Sequence, residues 1–201
     1  MNEDVSSVGG IDQNAVMELF EETGALLRGH FVLTSGLHSP NYLQCARVLQ
    51  FPKLAERLGA AIADRFRDRR ISCVVSPAIG GIVIGHEVAR ALGATSIFTE
   101  RDSNGEMTLR RGFSLSEDER VLVVEDVITT GGSTRETIEA SIAAGGKVIG
   151  AASIIDRSGG TADVGVPRAA LATLQVETYD PSVCPLCASG TTAMKPGSRK
   201  R

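Results

Sequence analysis

The sequence lacks the signatures of two large classes of nucleotide enzyme. It contains neither a Walker A motif nor a G-x-G-x-x-G motif, so ATP hydrolysis and dinucleotide redox chemistry have no support. It also lacks an apolar run as long as a transmembrane helix, and its start, MNEDVSSVGG, is acidic and polar rather than secretory. These absences predict a cytoplasmic protein.

A large excess of charge of one sign is also absent. The formal net charge is −3, which argues against a general nucleic-acid surface. The basic runs at residues 67–70 and 198–201 are short, and we interpret both as solvated ends. We therefore expect small-molecule ligands rather than nucleic acid or membrane.

Cysteine and histidine are scarce. The four cysteines are too few and too scattered for a disulfide scaffold, so we expect reduced thiols. Cys184-Pro-Leu-Cys187 has the spacing of half a zinc site, but neither a second C-x-x-C nor a histidine pair accompanies it, so we favour a loop with two free thiols. The three histidines, His30, His38 and His86, lack a metal-binding spacing and are interpreted as turn and surface residues.

What is present is a regular alternation of strand and helix patterns. The chain of 201 residues, 42% of them hydrophobic, can bury a sizeable core and is expected to form one domain. The alternation predicts an α/β protein with an open, mostly parallel sheet flanked by helices. The predicted elements are strand 71–75, helix 81–92, strand 94–99, strand 121–124, helix 133–144 and strand 148–155.

The N-terminal part of the chain has a different pattern. Residues 16–27 have helical spacing, and residues 29–35 and 41–49 predict two strands around a turn. We expect residues 1–50, with part of the C-terminal segment, to form a small N-terminal hood on a single domain that spans residues 1–201.

The segment VLVVEDVITTGGSTRETIEA, residues 121–140, combines a buried strand with polar chemistry. Its four apolar residues suit a parallel sheet, which places Glu125 and Asp126 at the C-terminal end of the strand, where ligands bind in open α/β sheets. Ser133-Thr-Arg-Glu136 has the form of a capping box, so a helix is expected to begin near Ser133. The connecting loop is then 129–132.

This loop is a predicted phosphate cradle. A helix N-terminus offers unpaired N–H groups, and two glycines let an anion approach the backbone. Glu125 and Asp126 would repel a phosphate, so they need another target on the same ligand: sugar hydroxyls, a metal ion or a developing positive charge. The implied ligand is a sugar phosphate; the alternative is that the acids only cap a loop. The loop at residues 76–81 is a second, weaker candidate for a phosphate or pyrophosphate.

One stretch of the sequence resembles the signature with which type I phosphoribosyltransferases bind 5-phosphoribosyl 1-pyrophosphate (PRPP). It consists of the acidic pair, two apolar residues and Thr-Thr-Gly-Gly-Ser. Residues 31–42, FVLTSGLHSPNY, and 154–157, IIDR, further resemble the members of that family that act on orotate, and the likeness extends over roughly residues 15–195. The resemblance implies the type I phosphoribosyltransferase fold, transfer of a phosphoribosyl group from PRPP to orotate, Mg²⁺ held mainly through PRPP, and a homodimer with shared active sites.

The resemblance also implies a role for each site residue. Glu125 and Asp126 would hold the ribose hydroxyls and stabilise positive charge as pyrophosphate leaves, while residues 129–133 hold the 5-phosphate. Arg157 would pair with the orotate carboxylate, and Thr129 would face the base. The residues implied to bind PRPP are Arg101, Glu125, Asp126, Val127, Ile128, Thr129, Thr130, Gly131, Gly132 and Ser133, and those implied in catalysis are Asp126, Glu125 and Arg101.

The sequence departs from the family pattern in two loops. Ile79-Gly80-Gly81 stands where the family commonly carries a lysine. Residues 101–116, expected to be a long surface hairpin or a mobile flap, have only Arg101, Arg110 and Arg111 as cations. Arg101 is the best candidate to contact pyrophosphate, in the neighbouring subunit's site. Arg110 and Arg111 are either further pyrophosphate ligands or solvated hairpin charges.

Two other functions stay open on these patterns. A purine phosphoribosyltransferase would share the phosphate cradle but would need no arginine for a base carboxylate. A PRPP-sensing regulator would keep the signature and bind nucleic acid, yet the sequence shows neither a basic face nor an added helix-turn-helix. The Thr-Ser-Gly and Ser-Pro pattern of residues 34–40 favours orotate, and hence a glycosyltransferase of pyrimidine biosynthesis.

Overall fold

The structure is a computed structural model that describes residues 11–33 and 35–196. The acidic start of the chain, Thr34 of the predicted turn and the basic run at residues 198–201 lie outside the described residues. Within the described part, no helix combines the length and the apolar character needed to cross a bilayer.

A parallel sheet forms the centre of the molecule. The strands are β1 (Leu26–Val32), β2 (His38–Leu43), β3 (Cys73–Pro77), β4 (Thr95–Arg101), β5 (Met107–Leu109), β6 (Arg120–Ile128), β7 (Lys147–Asp156) and β8 (Arg168–Thr173). The helices are α1 (Gln13–Glu22), α2 (Ala46–Leu49), α3 (Pro52–Asp64), α4 (Gly81–Leu92), α5 (Gly132–Ala143) and α6 (Pro185–Ala188). Six strands pair in the order β5-β4-β3-β6-β7-β8, and β5 is antiparallel to β4 while the other pairs are parallel. The predicted open, mostly parallel α/β sheet is confirmed.

Burial on both faces explains the apolar run of β6. Side chains alternate along a strand, so Leu122 and Val124 face one layer and Val121 and Val123 face the other. Leu122 and Val124 belong to the hydrophobic cluster that contains α3 and α4 side chains. Val121 and Val123 pack in a second cluster with Ile138 of α5. All four β6 side chains are fully buried, as a strand covered by helices on both faces requires.

One predicted boundary and one predicted cap are wrong at the functional end of the sheet. Strand β6 continues to Ile128, because Val127 and Ile128 still pair with β7, so the acidic pair lies within the strand. The predicted capping box does not form: the N-cap is Gly131, no side chain caps the helix, and α5 begins at Gly132. The Glu136 carboxylate bonds instead to Arg101.

The N-terminal elements differ from their predicted bounds: α1 ends at Glu22 rather than at residue 27, β1 begins at Leu26 rather than at residue 29, and β2 begins at His38 rather than at residue 41. The C-terminal end of the hairpin also differs. Strand β2 ends at Leu43, and residues 46–49 form the short helix α2 rather than more strand. The reason is local, because Gln44 N donates to Ala25 O and closes the hairpin there. The C-terminal segment adds to this hairpin through two isolated bridges, Phe31 with Met194 and His38 with Tyr179. We call this assembly of β1, β2, the described residues of the turn between them and residues 176–194 the hood.

Candidate active site

A cavity of about 670 Å³ lies at the C-terminal ends of β6 and β7, beneath the hood. Its lining residues are Leu33, Ser35, Leu37, Arg101, Glu125, Val127, Ile128, Thr129, Thr130, Gly131, Gly132, Ser133, Thr134, Glu136, Arg157, Val176 and Thr178. Every residue predicted to bind PRPP or orotate is among them except Asp126. The sequence pattern therefore located one concave site.

Asp126 lies outside the lining of this cavity. Alternation along β6 directs Glu125 into the cavity and Asp126 towards the loop before α4. A Cβ added to Gly80 would stand 2.7 Å from Asp126 Oδ2, so the carboxylate lies directly against that backbone. The contact brings the weaker predicted loop, residues 76–81, next to the acidic pair.

The phosphate loop is shaped by one glycine and one arginine. Gly131 has φ 78°, and a Cβ there would stand 2.8 Å from Val164 Cγ1, so both the backbone angle and the space require glycine. Arg135 donates to the carbonyl of Thr130 at 3.1 Å and also to the carbonyl of Asp163. The first N–H groups of α5 are left without helical partners, as in all α-helices, and can serve an anion.

The electrostatics of the acidic pair favour a cationic or hydrogen-donating ligand. Burial raises the pKa of Glu125 well above its usual value, and the neighbouring carboxylate of Asp126 raises it further. In the described part of the chain, neither carboxylate forms a salt bridge with lysine or arginine. Hydroxyl groups or a positive charge in the cavity would relieve this repulsion.

Arg157 is a half-buried cation that lacks an anionic partner among the described residues. It follows β7, its backbone N–H donates to Ile128 O at 2.8 Å, and its Nε is buried without a hydrogen-bond partner. Burial lowers the pKa of the Arg157 guanidinium from its ordinary value, against a smaller opposite effect of Tyr42. Arg157 lines both the main cavity and a smaller one of about 170 Å³ beside it. A half-buried arginine without an anionic partner among the described residues is suited to an anion in the cavity.

The neighbour of Arg157 fixes the start of its loop. Asp156 Oδ1 accepts from Ser158 N at 2.8 Å and from Ser158 Oγ at 2.6 Å, while Arg168 donates to Oδ2. Burial acts to raise the pKa of Asp156, but the hydrogen bonds from Ser158 and Arg168 outweigh it, and this pKa is lowered. These bonds hold the backbone on both sides of Arg157.

The segment 101–116 begins as a surface hairpin. Strand β5 pairs with the end of β4, and Arg101 lies at its base, where it bonds to Glu136 at 2.5 Å and to the carbonyl of Gly105 at 2.6 Å. Arg101 therefore lines the cavity of its own chain. Arg111 forms a two-pronged ion pair with Glu100, at 2.7 and 2.8 Å, outside the cavity.

Two groups of residues were missed by the sequence analysis. Leu33, Leu37, Val176 and Thr178 line the cavity from the hood, and only their place in the motif-like segment 31–42 could have indicated the first two. The prediction for two histidines is wrong: His30 and His38 are buried and lie beside Cys184 and Cys187. His86 is exposed, as predicted. A spacing of eight residues across a short hairpin was the available signal for the pair.

Comparisons with known proteins agree with this geometry. The family model described as "Phosphoribosyl transferase domain" matches residues 44–169. The chain is 53% identical over 190 residues to the orotate phosphoribosyltransferase of Desulforamulus reducens, covering 94% of this chain and 99% of that protein.

Solved structures match in fold. Orotate phosphoribosyltransferase from Aeropyrum pernix superposes with a TM-score of 0.68 at 29% identity, covering 80% of this chain and 94% of that one. Adenine phosphoribosyltransferase from Thermoanaerobacter pseudethanolicus has a TM-score of 0.64 at 16% identity, covering 78% and 99%. The fold is thus shared by enzymes named for different bases, and sequence identity makes the finer distinction. The chain belongs to the phosphoribosyltransferase family and, within it, to the orotate phosphoribosyltransferases.

Proposed function

We propose that the protein transfers the 5-phosphoribosyl group of PRPP to orotate, giving orotidine 5'-phosphate and pyrophosphate in de novo UMP synthesis. One observation carries the assignment of roles. Arg157, without an anionic partner among the described residues, lines the same cavity as the phosphate loop and Glu125. Orotate is a pyrimidine base that carries a carboxylate, so it supplies the anionic partner that the Arg157 guanidinium lacks.

The ligand would lie across the cavity from the phosphate loop to Arg157. The 5-phosphate accepts hydrogen bonds from backbone N–H groups of residues 129–133 at the start of α5. The ribose hydroxyls donate to Glu125 and Asp126. The base then lies near Thr129 and Arg157, beneath Val176 of the hood.

The transfer exchanges one bond at ribose C1 for another. The bond from C1 to the pyrophosphate oxygen breaks, orotate N1 forms a bond to C1, and the N1 proton is released. Positive charge develops on the ribose as pyrophosphate departs. The carboxylates of Glu125 and Asp126 would stabilise that charge, and the burial of Glu125 strengthens the effect because it limits screening by water.

The acidic pair also fits the Mg²⁺ that the family uses with PRPP. Its oxygen atoms are of the type that Mg²⁺ prefers, and their mutual repulsion is not offset by a lysine or arginine salt bridge in the described chain. When bound, Mg²⁺ neutralises charge on the pyrophosphate leaving group. The ion would be held mainly through PRPP, so no residue is assigned as its dedicated ligand.

We further propose that the chain is one domain of residues 1–201 that works in the cytoplasm as a homodimer. Residues 1–50 and part of the C-terminal segment contribute its hood. Arg101 would contact pyrophosphate in the neighbouring subunit's site, by analogy with the family, whereas within a single chain it lines that chain's own cavity. Neither nucleic acid nor membrane is a proposed partner, consistent with the net charge of −3.

A panel of bases tests the function. The purified protein is mixed with PRPP, Mg²⁺ and one of orotate, uracil, adenine or hypoxanthine, and pyrophosphate release is measured. Pyrophosphate release is expected in the mixture that contains orotate and in none of the other three. Release with adenine or hypoxanthine but not orotate would instead support a purine enzyme. PRPP binding without release in any mixture would support a PRPP-sensing regulator.

A further inference from the structure

Four potential metal ligands converge in the hood, away from the active-site cavity. They are His30, His38, Cys184 and Cys187, and their ligand atoms all lie within 4.8 Å of one another. Cys187 Sγ lies 3.3 Å from His38 Nδ1, and Cys184 Sγ lies 3.6 Å from His30 Nε2. The two cysteines are free thiols in the structure. Chain segments about 150 residues apart are brought to one point.

The hydrogen bonds of His30 orient its ring towards this point. His30 Nδ1 lies 3.0 Å from the carbonyl oxygen of Thr191, which can only accept, so Nδ1 carries the proton. The neutral ring then has its lone pair on Nε2. His38 Nδ1 and both sulfur atoms lie 2.8 to 3.8 Å from that nitrogen. One lone pair cannot accept hydrogen bonds from three groups, whereas one cation can bind all four.

We propose that these four residues bind one structural Zn²⁺ ion. Two thiolates and two neutral imidazoles form a common tetrahedral zinc set, and binding releases the two thiol protons. Typical zinc bond lengths give N···S separations of about 3.6 Å between tetrahedral ligands, close to the 3.3 and 3.6 Å that the structure shows. Thr191 supplies the outer hydrogen bond that orients metal-binding histidines.

The site has the character of a structural rather than a catalytic centre. Four protein ligands complete a tetrahedron and leave no position for substrate. His30, His38 and Cys184 are buried, and only Cys187 is exposed. The ion would join the β1–β2 hairpin to α6. Because Leu33 and Leu37 of the hairpin turn line the active-site cavity, the ion would also stabilise one wall of that cavity.

Metal analysis of the full chain tests this proposal without any reference to catalysis. We expect one zinc per chain by elemental mass spectrometry, and less than a tenth of that in Cys184→Ala, Cys187→Ala and His30→Gln. Cys73→Ala, in the central sheet, and His86→Gln, at an exposed position, are matched controls that should keep the full zinc content. Removal of zinc with a chelator should lower Tm by at least about 5 °C.

Cobalt gives a second readout where a variant fails to fold. Co²⁺ added to the chelated parent protein should produce thiolate-to-metal charge-transfer absorption and the visible bands of a tetrahedral ion, and Zn²⁺ should displace both. Protein that contains no zinc, binds no Co²⁺ and keeps its Tm after chelation would overturn the proposal. A Cys184–Cys187 disulfide found by mass spectrometry in protein purified under reducing conditions would overturn it too.

Discussion

The Asp126 carboxylate lies against the backbone of Gly80, so that an added Cβ would stand 2.7 Å from Oδ2 and 2.9 Å from Oδ1. The backbone of Gly80 has φ −59° and ψ −42°, which any residue can adopt. Space for the carboxylate, rather than backbone freedom, therefore requires glycine at this position. The contact couples the end of β6 to the start of α4.

Gly80→Ala is expected to lower turnover at least about tenfold by displacing the Asp126 carboxylate, with the fold retained. Asp126→Asn should also lower turnover strongly, because it removes a charge near the reacting sugar and keeps the size of the side chain. The decisive measurement is a double-mutant cycle. In an Asp126→Ala background, Gly80→Ala should change turnover little, because the displaced group is gone. An equal loss in both backgrounds would show that the contact is not the cause.

Gly131→Ala is expected to raise the Michaelis constant for PRPP at least about tenfold, because the new methyl group meets Val164 and deforms the cradle. Gly93→Ala is the matched control, since Gly93 has a similar φ of 69° but open space around it. Each substitution should cost roughly 1 kcal/mol of stability through its left-handed backbone angle. Unchanged PRPP kinetics in the Gly131 variant would contradict the cradle.

The buried Glu125 carboxyl should make the ligand-free protein less stable as pH rises. Its folded-state pKa lies well above the usual 4.5, because burial and then Asp126 disfavour its charge. Its contribution to stability is therefore complete below the unfolded-state pKa and is lost as pH rises through the folded-state pKa.

A neutral substitution at position 125 measures this pH dependence of stability. Glu125→Gln should raise Tm at about pH 8 more than at about pH 4, because only the parent carboxyl ionises between them. Glu18→Gln, at an exposed position, should show no comparable pH-dependent gain. A gain in the Glu125 variant of the same size at both pH values would contradict the assigned pKa shift.

Subunit mixing tests the role of Arg101 across a dimer. Arg101→Ala and Asp126→Asn should each be nearly inactive alone. If Arg101 serves the neighbouring site, an equal mixture that exchanges subunits should recover up to about a quarter of the parental activity, because half the dimers gain one intact site. No recovery, with exchange verified by mass-tagged subunits, would assign Arg101 to the cavity of its own chain.

The sequence predicted the central sheet well because its signal is local. Continuous apolar runs identify strands buried on both faces, and helix α4 was predicted with both of its observed boundaries. The prediction failed where pairing with a neighbouring strand determines whether a segment is a strand. Strand β8 was missed. The end of β6 was predicted four residues too early, because polar residues of β6 are held in the sheet by pairing with β7.

In the candidate site, too, local features were predicted and long-range contacts were not. The loop at residues 129–133 is contiguous, so its composition alone located the cavity wall. The cluster of His30, His38, Cys184 and Cys187 depends on a hairpin register and on a bridge from His38 to Tyr179. The spacing of His30 and His38 indicates at most that they meet across a hairpin, and no local pattern places them beside residues 184–187, so the histidines were wrongly predicted to lie in turns and on the surface.

The central claim is that Arg157 recognises the orotate carboxylate, and steady-state kinetics of Arg157 variants test it most directly. Arg157→Ala should raise the Michaelis constant for orotate at least about tenfold, equivalent to ~1.4 kcal/mol, with that for PRPP nearly unchanged. Arg157→Lys should recover part of the loss, since an ammonium group supplies charge without the planar fork. Arg67→Ala, which removes an exposed arginine paired with Asp64, is the control and should leave both constants unchanged. Orotate kinetics equal to the parent's, or a loss confined to PRPP, would contradict the account.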